Sequence, residues 1–528
     1  MFEVLLVSIL SVVFFCVFII FLNFLNQKEL NFLRLDRNNR LFKSESKFLD
    51  FLVILLFLFI TIIVRVHHET WRDEVNIWYY VSDQTIVQIF RNLNFEGHLS
   101  LWYLLVYPFS KLGFSFAYET YLHSFIALFT LLLFYFKSPF NKWWKILFLL
   151  NVYFVYEYNA IARNYVLVPC ILFLIATIFE KRFEKPILYG VLLLLLSQIH
   201  IYATLIVLTL FIFDLVTYIK LKIIEKKIIL IIVFFQLLGL LVCFLSLSGE
   251  RYLDSSKPLN YQPTHWLLLF FENLTKVSSS IFIVNTTPNI LFVLLLVIVG
   301  FIFIKLKEKS FFLKSLFLFF LFVFLLSVFF TVVPSVKFSL RHKGIVWSFF
   351  IFICWILVKE QSFYTFIKTS FILKLVSLLI IIYWIFLGLG SIKKDYYFEY
   401  SRSKKVADFI NSKCDSNDNL CVYGGPVSAY PYLSAIQPFL QRKIQYKFVN
   451  VGLRYIKYSK EFQEKVISSK LQDYTSLLSS NKKILFITLS KIQDSLLLTK
   501  VNLVYRQDIE TYHYRNDIGE NYFVYESN

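Results

Sequence analysis

Residues 67 to 80 read HHETWRDEVNIWYY and follow closely on the apolar run FLDFLVILLFLFITIIV. Two histidines, an arginine and three carboxylates therefore crowd the first eight residues beyond an apolar segment. A carboxylate beside a cation stays ionised near neutral pH and can take a proton from a hydroxyl. On a helix, Asp73 and Glu74 point about 100° apart, whereas Glu74 and Trp78 share a face. The spacing predicts one working carboxylate and one supporter rather than a two-carboxylate dyad. The aromatic run NIWYY after them could floor a pocket for a sugar ring. The plainer alternative is a solvated loop in which Arg72 neutralises its neighbours.

Further along, FEGHLSLWYLL brings Glu96 and His98 to the start of another apolar segment. They fit either a helix start whose first-turn charge suits the dipole or a second arm of the same site. His67, His68, Glu96, His98, His200 and His342 all fall on one side of the apolar segments. Histidine with glutamate can hold zinc or manganese, but none of these spacings is diagnostic. A divalent metal is thus a possible cofactor, and its ligands are left open. Two more segments carry cations at the same side: EYNAIARNYV with Glu157 and Arg163, and SVKFSLRHKGIVW with Lys337, Arg341, His342 and Lys343. Guanidinium forks suit phosphate. The plainer alternatives are a Glu157–Arg163 pair and cations snorkelling at an interface.

The elements that must position these residues follow from composition. Of 528 residues, 58% are hydrophobic and 20% aromatic, and the apolar residues come in long blocks without strand-like alternation. Blocks of that kind are membrane-spanning helices, because a bilayer leaves every backbone polar group to be satisfied within the protein. About twelve spans are expected by the ~20-residue criterion, at 4–24, 48–66, 116–136, 143–157, 165–179, 187–199, 201–219, 228–247, 289–304, 315–333, 345–358 and 370–390. The short loops KSPFNKWWK, EKRFEK, KLKIIEKK, KLKEKSFFLK and KEQSFYTFIK are basic, so by the positive-inside rule they face the cytoplasm. They also explain much of the +19 net charge without nucleic acid as a partner. Outside lie the loops 67–115 and 248–288, the cationic segments and everything after about 391. The first apolar block precedes a basic stretch, the reverse of a signal peptide's order, which predicts a retained helix in a segment 1–47. The mid-span regions are almost free of charge, which argues against an ion-coupled transporter.

Beyond the last span the texture changes. Residues 391–528 are expected to form a small α/β domain: a helix at 400–412, strands at NLCVYGG, YKFVNV, KKILFITL, NLVYRQDI and NYFVYE, and a polar helix near 459–480. Its YGGP lacks the pattern of a phosphate loop and reads as a turn. Cys414 and Cys421 could form a disulfide in an oxidising compartment. Asn273 and Asn285 head sequons that would matter only in a eukaryote.

The order of these pieces resembles the lipid-dependent glycosyltransferase-C superfamily, nearest to protein O-mannosyltransferases and the aminoarabinose transferases of lipid A. The likeness rests on RDE after a span, GHLSLWYLLVYPFSKLG, ARNY on an outer loop and RH before a late span, and covers roughly residues 48 to 390. It implies a polytopic, mainly α membrane protein with surface helices in the first outer loop, in a bacterial inner membrane. The implied activity is sugar transfer from a polyprenyl-phosphate donor to an extracytoplasmic lipid, glycan or protein acceptor. Asp73 matches the aspartate general base, with Glu74 its companion. Arg163, Arg341, His342 and Lys337 match the cationic phosphate contacts, and Glu96, His98 and His200 the substrate or metal contacts. A single base with in-line attack implies inversion at the sugar carbon. The first span is additional to the family pattern, its HPP stands here as HLS, and an arginine before the next span is missing from FAYETYLHSF. Two other readings compete: a flippase that holds the lipid phosphate without reaction, and a polysaccharide polymerase or ligase with outer-face arginines.

Overall fold

The computed structural model describes residues 43–93, 98–140, 142–221, 225–247, 263–280, 310–332, 338–358, 371–397, 403–415, 421–425, 435–441, 483–489, 491–494, 498–507 and 522–527, with isolated positions between them. The chain divides into two compact units. One is drawn from residues 1–92, 102–122 and 394–528, the other from 93–101 and 123–393.

In the first unit, α1 (Lys43–His67) ends with Arg65 and His67 in its last turn, where cations complement the helix dipole. It is followed by α2 (Arg72–Asp83), α3 (Ile86–Asn92) and the larger part of α4 (Ser100–Lys111). The α2 helix begins at Trp71, whose N–H donates to Glu74 Oε2 at 2.8 Å, one half of a capping box. Its buried face carries Val75, Trp78 and Tyr79, while Ser82 bonds Ser110 at 2.6 Å and Lys111 Nζ donates to the Ser82 carbonyl at 2.7 Å. Gly113, at φ +83°, ends α4 in the left-handed conformation that glycine adopts without steric cost.

The C-terminal part of this unit contains α15 (Ser403–Asp415) and the strands β1 (Cys421–Gly424), β2 (Ile484–Thr488), β3 (Val501–Gln507) and β4 (Tyr522–Ser527). Their order is β1-β2-β4-β3, with β1 parallel to β2 and the other pairs antiparallel. Strand β2 is buried on both faces, as its unbroken ILFIT run requires. Leu485 and Ile487 pack with Val406, Ala407 and Ile410 of α15, while Ile484 and Phe486 pack on the other face with Phe523 and Tyr525. The small α/β arrangement agrees with the texture of the sequence. The expected strand YKFVNV, the helix near 459–480 and the Cys421 side chain lie outside the described residues; Cys414 is buried in the domain core.

The second unit is helical. It contains most of α5 (Ala117–Lys137), then α6 (Lys142–Leu149), α7 (Leu167–Ile178), α8 (Pro186–Ser197), α9 (Ile201–Leu221), α10 (Lys226–Leu247), α11 (Pro263–Ser279), α12 (Ser310–Val332), α13 (Leu340–Val358) and most of α14 (Phe371–Tyr397). Helix α8 packs on α7, α9 and α10, α7 packs on α13, and α12 packs on α9, α11 and α13. Asp214 of α9 is fully enclosed by Arg182 Nε at 2.9 Å, Tyr189 Oη at 2.9 Å and Gln236 Nε2 at 3.4 Å, so α8, α9 and α10 share one neutralised network. Arg182 also lies between the rings of Phe179 and Phe183, each 4.3 Å away. A buried carboxylate matched in this way joins the helices around it.

Among the described residues seven helices are long and apolar enough to cross a membrane: 48–67, 117–137, 164–181, 201–219, 226–246, 312–332 and 340–358. Each coincides with an expected span, and the segments 187–199 and 370–390 correspond to shorter apolar helices at 186–197 and 382–393. The span expected at 143–157 is broken instead. Helix α6 stops at Leu149, Asn151 Oδ1 accepts the Tyr153 and Phe154 N–H groups at 2.8 and 3.3 Å, and a π-helical turn (Tyr153–Glu157) follows. An asparagine offering its side chain to the backbone is an alternative to helix continuation that hydropathy does not register. The expected spans 4–24 and most of 289–304 lie outside the described residues.

Candidate functional site

Asp73 and Glu74 belong to the first unit, and His98, Arg163, His200, Arg341 and His342 to the second. Glu96 and Lys337 lie outside the described residues.

Around Asp73 the neighbouring acid is enclosed. Glu74 is wholly buried; its Oε2 lies 3.2 Å from His68 Nε2, and its Oε1 lies 3.7 Å from Arg65 Nη1. His68, also buried, presents its Nδ1 to Asp395 Oδ2 at 3.1 Å. Burial would discharge this imidazole, but Asp395 and Glu74 outweigh it and raise the His68 pKa from 6.5 to about 9. Burial likewise works against the Glu74 carboxylate, and His68, Arg65 and the Trp71 N–H overcome it, holding the group down at about 2. Both histidine nitrogens therefore donate, one to each carboxylate. Beside this cluster Glu69 Oε2 accepts the Ser401 N–H at 3.2 Å, and burial raises the Glu69 pKa. The rings of His67 and Tyr396 approach to 4.4 Å. The loop 67–71 is thus tied to residues 395–401. The Asp73 side chain is 23% exposed, with Arg72 Nε 3.5 Å from its Oδ1. Glu74 holds the start of α2 in place, and Asp73 is the more exposed of the two carboxylates.

In the second unit the imidazoles and arginines converge on Tyr165. A single antiparallel β-bridge pairs the backbones of His98 and His200. The Leu101 N–H donates to the Gln198 carbonyl at 2.9 Å, and Asn164 Nδ2 donates to the Ile199 carbonyl at 2.7 Å, so the turn at 198–200 fixes both the His98 segment and the ARNY turn. Arg163 precedes a 3-10 turn (Asn164–Val166) in extended conformation, and its Nη2 lies 2.6 Å from His98 Nε2. Tyr165 Oη lies 3.2 Å from His342 Nε2 and 3.5 Å from His200 Nε2. The Arg341 guanidinium sits 5.9 Å from the Tyr165 ring centre. Tyr158 Oη donates to the Arg341 carbonyl at 2.8 Å, and Gly344 one turn later lets Tyr153 and Tyr158 approach α13, where a Cβ would meet both rings. Burial, then Arg163, His200, Arg341 and His342, push the His98 pKa well below 6.5, so this ring is neutral at physiological pH.

This cluster collects two guanidinium groups and three imidazoles round one phenol and is built to receive negative charge. Among the described residues no three His, Cys, Asp or Glu side chains are arranged to share a metal ion. Sequence reasoning did not single out Tyr165 or Asp395 as organisers. Tyr165 stood inside the quoted ARNY, so a tyrosine following an outer-face arginine was the available signal; Asp395, 327 residues from His68, offered none. Comparison with protein-family profiles, curated proteins and solved structures finds no match for this chain.

Proposed function

We propose that this protein is a polytopic membrane glycosyltransferase of the glycosyltransferase-C kind, with about twelve spans and its soluble domain outside a bacterial inner membrane. It moves a sugar from a polyprenyl-phosphate donor to an extracytoplasmic acceptor. The observation that carries this reading is the convergence of Arg163, Arg341, His98, His200 and His342 on Tyr165, at the ends of apolar helices where a lipid phosphate would lie. A phosphate leaving group gains charge as the glycosidic bond breaks, so fixed cations favour the transition state over the ground state. By the resemblance to that superfamily, Asp73, partly exposed beside Arg72, is assigned as the base that takes the acceptor hydroxyl's proton. The enclosed Asp214 favours this reading over an ion-coupled carrier.

The test is sugar transfer by the purified full-length protein, offered a panel of radiolabelled polyprenyl-phosphate sugars, with wild type beside Asp73→Asn. The expected result is transfer or slow hydrolysis of one donor with inverted configuration, reduced about 10²-fold or more in the variant while donor binding persists. Donor movement across a vesicle membrane with neither transfer nor hydrolysis, unchanged in the variant, would favour a flippase instead.

A further inference from the structure

The three imidazoles round Tyr165 differ in where they carry their protons, and the difference can be read from their partners. His200 Nδ1 accepts the Tyr202 N–H at 3.3 Å, and His342 Nδ1 accepts the Ser339 N–H at 3.2 Å. In the neutral state each of these rings therefore keeps its hydrogen on Nε2, the nitrogen facing Tyr165 Oη. His98 is reversed. Its Nε2 lies 2.6 Å from Arg163 Nη2, and a guanidinium can only donate, so Nε2 is the acceptor and the hydrogen sits on Nδ1. That Nδ1 is shielded from solvent and has no hydrogen-bond partner among the described residues. A buried donor left unmatched is destabilising, and a ligand that supplies the acceptor removes that cost. A nitrogen that carries a hydrogen cannot bind a metal, which needs the lone pair at that atom.

We infer that His98 donates its Nδ1 hydrogen to an anionic phosphate oxygen of the ligand, and that Arg163 is a positioning residue that fixes the His98 tautomer. The inference rests on the proposed phosphate site but revises its parts. Arg163 acts through His98, and Arg341 is the cation that meets the phosphate directly. The neutral ring adds a directed hydrogen bond without adding charge, so the phosphate is released more readily after transfer than from a third fixed cation.

The test is nitrogen NMR on the full-length protein in lipid bilayers with its eight histidines labelled in the ring. The His98 signals are assigned by their loss in His98→Gln. The probes are polyprenyl phosphate, inorganic phosphate and, as the uncharged control, polyprenol. The inference expects a neutral His98 with hydrogen on Nδ1, and a downfield Nδ1 shift with phosphate but not with polyprenol. Arg163→Met should move the hydrogen toward Nε2 and weaken polyprenyl-phosphate binding about tenfold. Arg341→Gln should weaken binding while leaving the tautomer unchanged. A hydrogen on Nε2 in wild type, or an unmoved Nδ1 signal under conditions where phosphate binds, would overturn the inference and leave the phosphate site standing. A shift with inorganic phosphate alone would support the His98 contact and overturn the lipid donor. Absence of binding by either phosphate would overturn both.

Discussion

His68 of the first unit and His98 of the second sit in opposite electrostatic surroundings. His68 lies between Glu74 and Asp395, and both its nitrogens are matched by carboxylates. His98 lies beside Arg163, with His200, Arg341 and His342 contributing further positive potential, and one nitrogen remains unmatched among the described residues. The same side chain is therefore held as a cation in one place and as a neutral donor in the other. The lesson is that polar residues count by how completely their partners are supplied. Where both imidazole nitrogens are matched, as in His68, the ring fixes backbone; where one is left open, as in His98, it can take a ligand.

The largest effect separating the two should come from removing the cation between Glu74 and Asp395. His68→Ala leaves the Glu74 and Asp395 carboxylates buried without their shared cation, at an expected loss of about 3–5 kcal/mol. Thermal unfolding of the purified protein in detergent should show this, and Glu74→Gln should also destabilise but less. Next in size is the pH dependence of the same cluster. The His68 pKa is raised from 6.5 to about 9, so its contribution is complete below pH 6.5 and declines as pH rises through 9. The Glu74 pKa is lowered to about 2, so its contribution is complete above its ordinary value of 4.5 and declines as pH falls through 2. The unfolding midpoint should therefore fall between pH 7 and 9, and His68→Gln should flatten that alkaline slope.

A smaller effect is expected where the second unit relies on close approach. Gly344→Ala pushes Tyr158 away from the Arg341 carbonyl, at about 1–3 kcal/mol by the cost of overpacking. If Arg341 meets the phosphate, binding should weaken along with stability; a variant that loses stability alone would separate Arg341 from the site. The smallest belongs to Lys276 and Glu272, an exposed pair on α11, whose joint replacement by alanine should change the unfolding free energy by less than about 0.5 kcal/mol.

These contrasts also mark what the sequence could reveal. Seven spans and the four described strands of the soluble domain follow from local hydrophobic runs, which depend only on neighbours along the chain. The break at Asn151 was invisible because one asparagine barely alters a window of hydropathy, although its side chain caps the turn that follows the break. The cations at 163 and 341 could be picked out by their outer position. Their assembly round Tyr165 depends on contacts spanning 177 residues, and no periodicity encodes those. The division between Asp73 and Glu74 followed from helical angles, but which of the two is enclosed depends on His68 and Asp395.

The central claim is that the Tyr165 cluster receives a lipid phosphate, and the most direct measurement is equilibrium binding of polyprenyl phosphate against polyprenol to the wild-type protein and Arg341→Gln. The account predicts that the phosphate binds with clear preference over the alcohol and that the variant loses about tenfold in affinity for the phosphate alone. Equal binding of phosphate and alcohol, or a properly folded variant that binds the phosphate as wild type does, would contradict it.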